Sequence, residues 1–323
     1  MAQDLIEKFI KWAVDDLGDL TRGDSNAQLW FCGIEDRGYP LFDKEEITNN
    51  GKSFSEDKDV KGGKYKSDSY LSAGKGVNND SSLMKMFEEF YRKEFNNKSE
   101  AAKMESIDCS ESFWVGKLSN VYGLISKIVV CAFSRAKINP LQGLAPIENP
   151  EKDREKWNAY ARDYYKGNGK ETDRKKLLFG TESNTYKMNL FPIAFPHDDE
   201  KYWTKAHKQV TGFENKAEYK DFCKNKRFAK LKDLLCTNEY GKKQSRAIVC
   251  FGIGQEESFY AAFCGKPREE KAKIGAKKNS WEAHEILENQ LHIRIYIMPF
   301  LSYRWMNNKA LFELGKDIAN YLK

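Results

Sequence analysis

The stretch LWFCGIEDRGYP, residues 29–40, changes character halfway along. Leu29, Trp30, Phe31, Cys32 and Ile34 make the short apolar run of a strand buried on both faces. Two adjacent carboxylates and a cation, Glu35, Asp36 and Arg37, then follow where that strand would end. In open α/β sheets the carboxyl edge of the strands is where ligands bind. An ordinary loop with solvated charges would read the same way, so the rest of the chain has to decide.

Three further apolar runs have strand character: residues 186–191 (YKMNLF), 247–251 (AIVCF) and 291–298 (LHIRIYIM). Between and around them the apolar spacing fits helices over residues 4–20, from 82, 113–133, about 216–235 and 309–322. Strands alternating with helices predict an α/β chain: a three-layer αβα arrangement around a central, mainly parallel four-stranded sheet. It reads as a single domain over residues 1–323 with polar insertions at about 47–82 and 148–180, the second taken as peripheral because it is so charged. If the strands are parallel, three unusual strand ends converge on one edge. They carry Glu35 and Asp36, then Asn189, then the loop 299–308.

Composition narrows the classes. With 323 residues, 40% of them apolar, the chain can bury a sizeable core. A mean hydropathy of -0.73 fits long polar insertions. A net charge of +6 permits a polyanionic partner without requiring one. The seven cysteines are scattered and show no C-x-x-C spacing, which suits a reducing cytoplasm and argues against zinc or iron–sulfur sites. The four histidines, His197, His207, His284 and His292, show no metal-ligand spacing, so no metal or cofactor is expected. The charged amphipathic N-terminal stretch is not a signal peptide, and no run of about 18 apolar residues occurs. Gly252-Ile253-Gly254 precedes a helix whose N-terminus could favour an anion, but a lone G-x-G is not a dinucleotide motif.

The layout resembles the uracil-DNA glycosylase superfamily, whose members place G-x-[DN]-P after the first strand, an apolar strand ending in Asn in the middle, and an H-P-S-type loop after the last strand. Gly33-Ile34-Glu35-Asp36 resembles the first segment and Met188-Asn189-Leu190-Phe191-Pro192 the second. Residues 247–252 resemble the third strand, and Met298-Pro299-Phe300-Leu301-Ser302 the last loop. These short segments cover about a third of the chain. Two departures stand out: Asp36 replaces the family proline, and Met298 stands in place of the usual histidine. Within the superfamily the chain is most similar to the antiphage, Brig-type DNA glycosylases, which implies excision of glucosylated hydroxymethylcytosine from viral DNA by a cytoplasmic monomer.

The resemblance also implies roles. Glu35, or else Asp36, would be the catalytic carboxylate that orients water or stabilises the oxocarbenium-like sugar. Neighbouring residues on an extended chain point opposite ways, so only one of the two faces the reacting carbon; capping or pairing with Arg37 are the alternatives for both. Asn189 would hydrogen-bond the edge of a flipped base, or else form an Asx turn before Pro192. Phe42 or Phe191 would stack on the base, or simply pack in the core. Ser302, Tyr303, Arg304 and Trp305 fall where the family inserts a loop into DNA: one side chain fills the gap left by the base and Arg304 holds a phosphate, with core packing the alternative for Trp305. Arg37 would contact the same DNA. His197 is a candidate for the missing histidine, or a surface residue.

Overall fold

A computed structural model describes residues 6–7, 9–15, 22–33, 120–167, 174–193, 203, 207–208, 211–237, 245–252, 254–263, 279–286, 292–299 and 306–323. The expected insertion at 47–82 and the helix from residue 82 lie outside these. The chain divides into two compact units. One is built from residues 21–34, 117–190 and 231–323, the other from residues 1–20, 35–116 and 191–230.

The first unit holds a six-stranded sheet. Its strands are β1 (Arg22–Gly23), β2 (Leu29–Gly33), β3 (Thr185–Asn189), β4 (Arg246–Phe251), β5 (Glu282–Ile286) and β6 (Ile293–Met298), in the order β1-β3-β2-β4-β6-β5. β2 runs parallel to both β3 and β4, and β4 parallel to β6. β1 and β5 close the two edges as antiparallel strands. The chain is therefore α/β with a mixed, mostly parallel sheet, and its parallel strands are the four apolar runs of the sequence. The edge strands were not expected. β5 reads EAHEI, with Ala283 and Glu285 exposed, Glu282 and His284 partly buried and Ile286 buried, and its charged residues suit an edge that must not pair with a stranger.

One face of the sheet presents Leu29, Phe31, Val249 and Tyr296 to α1 (Asn120–Ala136), α2 (Arg154–Lys166) and α6 (Asn308–Leu322). α1 is apolar nearly all round and is buried from Leu124 through Phe133. Here the charged stretch 148–180 departs from expectation, because it is not peripheral. Trp157 and Tyr164 of α2 are buried in the core, and the Trp157 Nε1–H donates to the Lys127 carbonyl at 3.0 Å. Trp157, Tyr160, Ala161 and Tyr164 stand at helical i, i+3, i+4, i+7 spacing, an inward stripe hidden among charges. α1 and α6 approach so closely at Gly315 that a Cβ there would lie 2.7 Å from the Cβ of Cys131.

The sheet's other face is buried as well, with Trp30, Cys32, Met188, Ile248, Cys250, Ile295 and Ile297 at or near zero exposure. Burial on both faces is why these strands read as continuous rather than alternating apolar runs. At the amino end of β4, Arg246 is fully buried with its guanidinium 4.6 Å from the centre of the Trp30 ring. Desolvation pushes its pKa down to about 10 against the opposing pull of Asp24.

Among the described residues of the second unit are a π-helical turn, Lys11–Asp15, and α3 (Lys216–Phe222), which passes through a second π-helical turn, Cys223–Arg227, into α4 (Phe228–Thr237). Asn215 caps α3 by accepting from the Glu218 N–H at 2.9 Å, and Glu218 reaches back to the Glu214 N–H. The π turn points Arg227 inward, where it donates to the Ala13 carbonyl at 2.6 Å. Phe191, Trp203, Phe213 and Tyr219 form an aromatic group, and the Tyr219 hydroxyl accepts from the Ile193 N–H at 3.0 Å. Among the described residues no helix is long and apolar enough to cross a membrane.

Candidate functional site

Because β2, β3, β4 and β6 are parallel, their carboxyl ends share one edge of the sheet. The register sets Asn189, Gly33, Phe251 and Met298 side by side across it. Residues in one such row project from the same face, here the face packed by α1 and α6.

The centre of the row is a glycine, and the reason is steric. A methyl group on Gly33 would overlap the Asn189 Oδ1 outright and stand 3.4 Å from its Cγ. The absence of a side chain on β2 thus gives the carboxamide of β3 its place. Asn189 is only 3% exposed, and the Leu190 N–H continues the ladder onto the Gly33 carbonyl at 2.9 Å, which fixes the strand just past the amide. On the other side of Gly33 stands Phe251, partly buried, its ring stacked on Phe31 at 6.0 Å and 14°. The Gly252 N–H donates to the Met298 carbonyl at 3.0 Å and ties β4 to β6 at the same level.

Two residues before Asn189, on the same face, Lys187 donates from Nζ to the Tyr122 hydroxyl at 3.2 Å and lies 5.5 Å from the centre of its ring. Tyr122 belongs to the first turn of α1 and meets Phe179 edge-on at 6.0 Å; Phe179 in turn meets Phe31 edge-on at 5.9 Å. A buried amide thus lies against Gly33 with Phe251 in the same row, and the Lys187–Tyr122 pair stands one step back along the same face, these four residues all partly exposed. The group combines a carboxamide, which carries both donor and acceptor atoms, with an aromatic ring and an ammonium. That set suits a flat heterocycle with polar edges.

Of the site residues expected from the sequence, Glu35, Asp36, Arg37, Phe42, His197, Ser302, Tyr303, Arg304 and Trp305 lie outside the described residues. Asn189 stands at the edge, beside Gly33. Phe191 is in the second unit and 1% exposed, with Tyr219 at 6.3 Å and Phe228 at 5.8 Å. Met298 is fully buried. Phe251, Lys187 and Tyr122 were missed. A signal existed for Lys187, a cation two positions before Asn189 on the same strand, which parity places on the face of Asn189.

The helix after β4, α5 (Glu256–Phe263), corrects one expectation. Its N-terminus offers no welcome to an anion, since Glu256 and Glu257 occupy the first turn and the Glu256 carboxylate already accepts from the Gly254 N–H at 2.8 Å. Among the described residues no three His, Cys, Asp or Glu side chains gather as metal ligands. No protein-family model, curated protein or solved structure matches the chain.

Proposed function

We propose that the protein is a DNA glycosylase with a three-layer fold like that of the uracil-DNA glycosylases. In this reading it acts as a cytoplasmic monomer that flips a modified base out of phage DNA, cleaves its N-glycosidic bond and leaves an abasic site. Glucosylated hydroxymethylcytosine is the proposed base, and defence against phage the proposed role. The observation that carries the reading is the pairing of Gly33 with Asn189. A carboxamide able to read a base edge lies directly over a glycine, and Glu35 follows that glycine by two residues in the sequence.

Cleavage of the bond leaves positive charge on the sugar and the bonding electron pair on the base. Glu35, with Asp36 as the other candidate, orients the water that attacks the anomeric carbon and takes its proton. Asn189 holds the base edge once it has left the stack. Phe251 supplies a ring face next to the amide. Tyr303, Arg304 and Trp305 act on the DNA, filling the gap and holding a phosphate.

The test is incubation with glucosylated phage DNA followed by alkali, which breaks the strand at abasic sites. Strand breaks are expected from the natural protein and not from Glu35→Gln or Asn189→Ala, with DNA binding largely kept in the Glu35 variant. Binding without breaks would make the protein a reader of modified DNA instead.

A further inference from the structure

A guanidinium carries a fixed positive charge and a fork of N–H donors, so its burial is costly unless acceptors of opposite charge meet it. Arg246 is fully buried at the amino end of β4, yet none of its three side-chain nitrogens has a hydrogen-bond partner among the described residues. Its backbone N–H is satisfied by the His292 carbonyl at 2.9 Å, so the unmet donors all belong to the side chain. The other buried arginine among the described residues, Arg227, donates to the Ala13 carbonyl. Neutralisation is no escape for Arg246, because a pKa lowered to about 10 leaves it charged at neutral pH.

We infer that Arg246 anchors a second binding site, at the amino edge of the sheet, whose ligand is a small carboxylate. Arg246 opens β4 and Phe251 ends it, which sets the two about 16 Å apart along the strand. The inference therefore concerns a place remote from the Asn189 row and does not rest on the glycosylase reading.

The surroundings of the guanidinium define what would fit. It lies over the Trp30 ring, 4.6 Å from the centre. That ring is itself fixed, since Trp30 Nε1 donates to the Ala27 carbonyl at 3.0 Å and Tyr186 packs on it at 4.8 Å. An indole against the flat side of a guanidinium leaves the in-plane N–H groups for a ligand, and two of them match the two oxygens of a carboxylate. Asp24 supplies the nearby negative charge, but its carboxylate makes no hydrogen bond to Arg246 and accepts instead from the Asn26 N–H at 2.8 Å. That charge also selects: it repels a doubly charged ligand more than a singly charged one. Because Arg246 is fully enclosed, the ligand must be small and must enter on local opening. Once seated it is sealed from water, where a paired charge counts for most.

Melting of the full chain in sodium formate, phosphate or chloride at matched ionic strength tests the inference. Formate is expected to raise the melting temperature of the natural protein by ~2–4 °C at ten times its half-saturating concentration, with chloride and phosphate giving less. Arg246→Met should remove the formate-specific rise, whatever its own melting temperature. Asp24→Asn, which keeps the oxygen that accepts from Asn26, should lower the half-saturating formate concentration at least about threefold. A formate rise no larger than that in chloride, or one equal in the Met variant, would overturn the inference. A larger rise in phosphate would overturn the assignment to a carboxylate. If the Met variant does not fold, Arg246→Lys, which keeps the charge but loses the fork, is expected to weaken formate binding at least tenfold, and an unchanged response there would overturn the inference equally.

Discussion

Gly33 and Asn189 depend on each other, and the dependence is one-sided enough to measure. The obstacle to a side chain at position 33 is the end of the Asn189 side chain, which can swing away, rather than backbone. Gly33→Ala is therefore expected to fold, with a melting temperature within a few degrees of the natural protein, while its carboxamide is displaced. Base release should fall at least tenfold. A Gly33→Ala protein with full activity would mean that the amide's present position is not the working one. Phe251 makes a second residue-scale case. Stacking on an aromatic ring is worth roughly 1–3 kcal/mol per base, so Phe251→Ala should weaken binding of modified DNA about five- to 150-fold. Equal affinity would remove Phe251 from the site. Asn189 was legible in the sequence because a lone amide interrupts an apolar strand at its end. Phe251 was not, because an aromatic at the end of a buried strand looks like any core residue until the register puts it beside Gly33.

Among the elements, the α1–α6 contact is set by Gly315. Its absent side chain lets the helix approach the Cβ of Cys131, and the Cys131 thiol reaches the Phe312 carbonyl at 3.5 Å. Gly315→Ala should destabilise the protein by about 1–3 kcal/mol in urea unfolding, as overpacking does, despite alanine's better helix propensity. A stabilised variant would show that the helices part at little cost. In the second unit, His207 is fully buried and stacks on Trp203 at 5.0 Å. Desolvation, reinforced by the nearby positive Lys216, lowers its pKa from 6.5 to about 3. The unfolded chain thus binds more protons at this residue between those values. Stability from this group is complete above pH 6.5 and drains away as the pH falls toward 3, by up to about 1.4 kcal/mol per pH unit. His207→Phe should flatten the acid limb of the stability profile between pH 6.5 and 4; an unchanged slope would contradict a buried neutral imidazole. Helix α2 shows how an element hides. Its charges dominate any reading by composition, while Trp157 and Tyr164 dominate its packing. The edge strands β1 and β5 were illegible for the opposite reason: one is only two residues long and the other mostly polar.

For the whole molecule, the sequence was informative where burial is two-sided. The four parallel strands could be located from uninterrupted runs such as AIVCF, and their shared direction puts the ends of β2 and β3 at one edge, with Gly33 against Asn189. What periodicity could not supply was the row across the strands, since register is a property of neighbours and not of any one segment. A protein that works on DNA through cationic side chains should bind with an affinity that falls steeply in salt, on the order of a hundredfold or more between 50 and 200 mM; salt-independent affinity would favour a free nucleoside as substrate. The central claim is that a base leaves its sugar at the Asn189 edge. Mass spectrometry of the small molecules set free from glucosylated phage DNA tests it most directly. Free glucosylated hydroxymethylcytosine is expected with the natural protein and none with Asn189→Ala, whereas no free base from the natural protein, or equal release by the variant, would contradict the account.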